Sequence, residues 1–216
     1  MQIPTVQQLA VFRSPEDLCQ LVDPDSLGIS DEDFFNKAAQ GLYQKLREAW
    51  VLARIGTAID HVISSVQVKV VDGPLLDGIL RFKDGREWEF EVITVLRPGE
   101  QPGTEYRRGQ RPPQKLSDFS GRTSDPSWIR HPVLGKVKKA RKQAVSRHLV
   151  AYLNYGGGVS DLAQVATQIP EAKNAFETTW LITGAMFALL FDRTQIPYSS
   201  GNWRSYLDWL PSECKP

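Results

Sequence analysis

Residues 75–95, LLDGILRFKDGREWEFEVITV, constrain the fold more than any other stretch, because they read as a β-hairpin whose turn sets the register of both strands. Lys83-Asp84-Gly85 is a three-residue loop, with Gly85 at the position that needs a positive φ. That loop pairs Phe82 with Arg86, Leu80 with Trp88, Ile79 with Glu89 and Asp77 with Glu91. One face then carries Leu80, Phe82, Trp88, Phe90 and Val92 and is expected to be core. The other carries Asp77, Ile79, Arg81, Glu87, Glu89, Glu91 and Ile93. A two-residue loop would place Asp77 and Glu91 on opposite faces. Arg81 is expected to pair with Glu87, which leaves Asp77, Glu89 and Glu91 as a carboxylate group that calls for a cation or a proton. Hard oxygen ligands of this kind suit Mg²⁺ or Mn²⁺. The plain alternative is a solvated strand face.

Around the hairpin, Ser14-Pro15-Glu16-Asp17 is a helix start, with Ser14 as N-cap and Pro15 at the first position, and Pro24 ends that helix. A second helix is predicted from Ser30, with Asp31, Glu32 and Asp33 at its positive end, to about Gly56. Phe35, Ala39, Leu42, Leu46, Ala49 and Ala53 form its apolar stripe. Glu48 lies off that stripe, beside Val51, Leu52 and Ile55, and if buried it needs a partner or a metal. The alternative is a surface Glu paired with Lys45. Residues 61–71 alternate as a first strand beginning at His61, with Lys69 on its outer face and Asp72-Gly73-Pro74 as the turn into the hairpin. Residues 97–135 show no sustained periodicity and are predicted to be a long basic loop, with Trp128 and His131 near its end. Residues 136–148 form a basic helix with Val137, Ala140, Ala144 and Val145 inward. Residues 149–155 read as a central strand closed by Gly156-Gly157-Gly158. Two short helices are predicted at 161–166 and 171–176, a further strand within 178–191, and a last short helix carrying Trp203, Tyr206 and Leu210. The fold class is α/β (α+β), a mixed sheet flanked by helices.

With 216 residues, 41% of them hydrophobic, one domain over 1–216 is expected, its core at about 31–195 and its C-terminal helical segment at 196–216. The net charge of +1 is uninformative, but its distribution is not. Residues 104–147 hold twelve Lys and Arg against three acids, while the first sixty residues lean acidic. That asymmetry is an electrostatic footprint for a polyanion. Cys19 and Cys214 make no disulfide framework, and no signal peptide is read at the N-terminus, so a cytoplasmic location is expected. Residues 180–191 are too short to span a membrane, and no membrane partner is expected.

Asp77, followed after a hairpin by Phe90-Glu91-Val92-Ile93, resembles the PD-(D/E)xK nuclease superfamily. Pro74-Leu75-Leu76-Asp77 is a stretched form of that superfamily's Pro-Asp, and the order of helix, hairpin, basic helix and apolar strand over 31–155 is also similar. The stretch 90–108, FEVITVLRPGEQPGTEYRR, is similar to small, little-characterised endonucleases of the superfamily. The resemblance implies a restriction-endonuclease-like fold and hydrolysis of DNA with Mg²⁺ (or Mn²⁺). It implies that Asp77 and Glu91 bind the metal, with Glu89 and Glu48 in support. Arg107, Arg108, Lys136, Lys138, Lys139, Arg141, Lys142 and Gln143 would meet DNA, and a homodimer is compatible with this reading. Ile93 stands where the superfamily has a lysine. Glu89-x-Glu91 could then serve as the acidic pair, or Lys69 or a lysine of the basic helix could replace the missing one. The alternatives are a nucleic-acid-binding protein that has lost catalysis on the same fold, or a protein-interaction module with a basic face.

Overall fold

The computed structural model describes residues 3–29, 34, 41–73, 76–96, 125–143, 146–153, 161–198 and 201–211. Its contacts gather into two units. The first takes in the described residues up to Phe90 together with 206–211, and the second those from Glu91 to Ser205. Seven strands among the described residues run in the order β1 to β7, and the class is mixed α+β. In the first unit the order is β1 (Val66–Val70), β2 (Gly78–Phe82) and the beginning of β3 (Glu87–Val95). In the second it is the rest of β3, β4 (His148–Leu153), β5 (Thr178–Ile182), β6 (Met186–Asp192) and β7 (Arg204–Ser205).

The hairpin forms in the expected register: Ile79 faces Glu89, Leu80 faces Trp88 and Arg81 faces Glu87. Gly85 takes φ +86°, its N–H donates to Phe82 O at 2.9 Å, and the Phe82 N–H donates to Arg86 O at 2.8 Å. Arg81 Nε meets Glu87 Oε1 at 2.8 Å. Leu80, Phe82, Trp88 and Phe90 are buried as expected. Beyond Phe90 the expectation fails. Val92 is only half-buried, whereas Glu91, Ile93 and Val95 are buried, so the covered face of β3 changes at the Phe90–Glu91 step.

The first unit is built on helices α1 (Val6–Leu9), α2 (Pro15–Val22), α3 (Pro24–Leu27) and α4 (Leu42–Val62). Ser14 caps α2 as expected, its Oγ accepting the Asp17 N–H at 3.0 Å. Helix α4 packs on α2 and β1, and every residue from Glu48 to Ile59 is buried. It continues six residues past Gly56, which corrects the expected end and places His61 on the helix, stacked on Trp209. Gly56 is where α4 crosses β1, because a Cβ there would lie 2.7 Å from Val68 Cγ2. The outer edge of β1 is closed by Arg13, which exchanges backbone hydrogen bonds with Val68 at 3.0 and 2.7 Å, and by Asp60, which accepts the Val66 N–H at 2.9 Å. The expected start at Ser30, with Phe35 and Ala39, lies outside the described residues.

In the second unit, Pro126–Ile129 form a short 3-10 helix that runs directly into α5 (Arg130–Gln143). Helices α6 (Leu162–Gln168) and α7 (Ala172–Ala175) follow. Helix α5 therefore begins six residues before its expected start. Ile129, Val133, Val137 and Ala140 are all buried at spacings of four, four and three, a stripe that the reading of 97–135 as a loop broke in two. Strands β4 and β5 are parallel, and β6 is antiparallel to β5. The single strand expected within 178–191 is thus two. Thr183 turns the chain between them, its Oγ1 accepting the N–H groups of Ala185 and Met186 at 3.2 and 2.9 Å. The last helix is corrected to the short strand β7 followed by a 3-10 turn, Leu207–Trp209. The glycine triplet at 156–158 and the basic segment within 97–124 lie outside the described residues.

Candidate functional site

The expected acidic residues divide between the units. In the first unit, Glu48 is buried on α4, with Oε1 accepting from Gln44 Nε2 at 2.8 Å and Oε2 from Lys45 Nζ at 2.7 Å. Lys45 also donates to Val71 O at 3.0 Å, which ties the helix to the end of β1. Burial, then the charge of Asp77, raise the Glu48 pKa, and the bonds from Lys45 and Gln44 only partly oppose them. Asp77 precedes β2 and is half-buried, with its N–H donating to Phe90 O at 3.0 Å. Glu89 is half-buried opposite Ile79. Among the described residues, no group of three or more His, Cys, Asp or Glu is disposed to hold a metal ion.

In the second unit, Glu91 is fully buried and surrounded by cations. Its Oε1 accepts from Arg147 Nη1 at 2.7 Å, its Oε2 lies 2.7 Å from Lys136 Nζ, and Lys139 Nζ stands 3.7 Å from Oε2. Burial pushes the Glu91 pKa up, but hydrogen bonds from Lys136 and Arg147 and the charges of Lys136 and Lys139 outweigh it, so the carboxyl is held below its ordinary range. Lys136 and Lys139 are one turn apart on α5, and Arg147 immediately precedes β4. The three cations around Glu91 already balance its charge, and their repulsion disfavours a divalent ion there. Lys138, Arg141 and Lys142 are exposed on the same helix, which has no acidic residue. Arg107, Arg108 and the side chain of Gln143 lie outside the described residues.

Beside the end of α5 lies a cavity of about 310 Å³ lined by Ala140, Arg141, Ser146, Asn174, Ala175, Glu177 and Arg193. Ser146 Oγ donates to Glu177 Oε1 at 2.7 Å, and the Glu177 N–H donates to Arg147 O at 2.7 Å. Arg193 donates its backbone N–H to Glu177 O at 2.8 Å and its Nη1 to Asn174 O at 3.4 Å. Its Nη1 stands 3.9 Å from Glu177 Oε1, too far for a hydrogen bond. Of the lining residues, only Arg141 is among the functional residues that the sequence predicts. Asn174 and Glu177 come from the end of α7 and the residues just after it, whereas Ser146 and Arg193 come from distant parts of the chain, and no local spacing links those three regions.

No family model matches the chain, and no curated protein matches it. A solved structure that does match is a protein of unknown function from Pseudomonas aeruginosa strain PAO1, described as Monooxygenase Superfamily. It is 15% identical, with a TM-score of 0.47, over 88% of this chain and 94% of that one. A likeness of this size transfers no activity. The expectation of a PD-(D/E)xK endonuclease is corrected: the matched structure is described as Monooxygenase Superfamily, and the motif's Glu91 is engaged by Lys136 and Arg147. The motif was short, and the geometry accounts for it otherwise. An acid on a strand followed by a basic helix is also what an internal ion-pair cluster looks like in sequence, and Glu91 with Lys136, Lys139 and Arg147 is one.

Proposed function

We propose that the second unit binds a small anionic ligand in the cavity between the end of α5, α7 and the start of β5. The observation that carries this reading is the cavity itself, because two guanidinium groups, Arg141 and Arg193, line it against a single carboxylate, Glu177, together with the polar residues Ser146 and Asn174. Its volume of about 310 Å³ falls at the small end of the range for ligand sites. An arginine fork matches a carboxylate or phosphate in two parallel hydrogen bonds, and two such forks at one cavity favour an acidic ligand. The positive charge of α5 raises the local concentration of anions around it.

The test is a titration of the whole chain with glutarate, with inorganic phosphate and with L-glutamate at low ionic strength, read by amide chemical shifts and by melting temperature. Binding should shift resonances of Ala140, Arg141, Ser146, Asn174, Ala175, Glu177 and Arg193 and raise the melting temperature by linkage. Arg193→Gln and Arg141→Gln should each weaken it about tenfold or more, the value of one charge-assisted hydrogen bond. Absence of any shift with glutarate, with phosphate and with L-glutamate alike refutes the reading.

A further inference from the structure

Resting on that anionic-ligand reading, we infer that the ligand carries two carboxylates and one ammonium, the charge pattern of an acidic amino acid. The cavity presents two guanidinium groups, Arg141 and Arg193, and one carboxylate, Glu177. A ligand with the inverse pattern meets each of these charges with its opposite. A plain dianion does not, because one end would face Glu177, and like charges at that range repel.

Glu177 is available for this role. Its side chain is 26% exposed, so it reaches the cavity without being fully solvated. A carboxylate offers about four acceptor positions, and Ser146 Oγ takes one of them at Oε1. The 3.9 Å between Arg193 Nη1 and Glu177 Oε1 leaves the two groups attracting each other without a closed hydrogen bond. An ammonium can therefore bond to Glu177 while a carboxylate engages Arg193, and neither protein group has to give up a short bond to the other. Arg141, exposed in the last turn of α5, is placed for the second carboxylate. Ala140 and Ala175 complete the lining with small apolar surfaces suited to a short methylene chain.

Four probes separate the parts of the inference: L-glutamate, glutarate without the ammonium, L-norvaline without the second carboxylate, and inorganic phosphate. Each is titrated into the whole chain at low ionic strength by calorimetry and amide chemical shifts. L-Glutamate should bind at least tenfold tighter than glutarate and than L-norvaline. Glu177→Gln retains an oxygen for Ser146, and in it the advantage of L-glutamate over glutarate should disappear. Arg141→Gln, on an exposed helix face where folding is not at risk, should remove the advantage over L-norvaline. Glutarate or phosphate binding as tightly as L-glutamate would overturn the zwitterionic ligand while leaving the anionic reading in place. No binding of any of the four would overturn both.

Discussion

Glu91 shows how strongly one buried charge depends on its surroundings. With Arg147 Nη1 at 2.7 Å and almost no exposure on either side chain, the pair is a buried salt bridge, and removing Glu91 leaves the positive charge of Arg147, Lys136 and Lys139 uncompensated by it. Glu91→Ala should lower stability by about 3–5 kcal/mol in denaturant unfolding, because Arg147 loses its compensating charge. Since the folded pKa lies below the ordinary value of 4.5, this carboxylate stabilises the fold above that value, and the contribution is lost as pH falls through the folded pKa. Glu48 has the opposite sign: its raised pKa makes protonation favour the folded chain. His148 gives the clearest acid response. Burial lowers its pKa from 6.5 to about 3, with Nδ1 2.7 Å from Thr178 Oγ1, so its contribution is complete above pH 6.5 and is lost as pH falls towards 3. Between pH 7.5 and 4.5 that loss is about 3 kcal/mol. Unfolding of His148→Gln at the two pH values should show a correspondingly smaller difference than the native chain. An equal difference in both would show that His148 is not the group responsible.

At the scale of elements, helix α4 is held by a close approach that opposes its own helical propensity. Gly56 in a helix interior is unfavourable by about 1 kcal/mol relative to Ala. Yet a Cβ at this position would meet Val68 Cγ2 at 2.7 Å and Pro15 Cγ at 3.2 Å. Val68 is a buried β-branched residue, Pro15 is a buried rigid ring, and neither has a free rotamer to retreat into. Overpacking of this kind costs about 1–3 kcal/mol, which exceeds the propensity gain. Gly56→Ala should therefore lower the urea midpoint with an unchanged m-value. A raised midpoint would mean that α4 and β1 adjust more easily than the packing indicates. At Gly78 on β2 a Cβ would meet the δ-methyls of Leu52 on α4 and stand 3.1 Å from the backbone oxygen of Lys69 on β1. These two glycines let the helix lie close against its two strands.

For the whole molecule, the two units have separate chemistries. The first buries the carboxylate Glu48 against Lys45 and closes its sheet edge with Arg13 and Asp60. The second buries an apolar core from Ile93 to Leu190 and carries on α5 every described cation of the chain's basic segment except Arg147. The division falls within β3, at the step where the buried face changes. No helix among the described residues is long and apolar enough to cross a membrane.

Local chemistry alone determined the hairpin, the α2 cap and the helical character of α4. A three-residue loop with Gly85 admits one register, Ser14 reaches the Asp17 N–H three residues on, and apolar residues every three or four positions make a buried stripe. Each of these depends on neighbours within a few residues or on a single backbone angle. The fate of Glu91 does not. Its partner Arg147 lies 56 residues away, and the alternation of β3 reads the same whether the face beyond Phe90 meets water or α5. The sequence could mark Glu91 as a carboxylate needing cations, but only packing decided that those cations are protein side chains. The cavity is legible in the same partial way. Arg141 stood out in a basic run, whereas Glu177 and Arg193 join it only because the parallel pairing of β4 with β5 and the antiparallel return of β6 bring their ends together. Pairing of strands far apart in the chain follows from which apolar faces cover one another, and no local spacing records that choice.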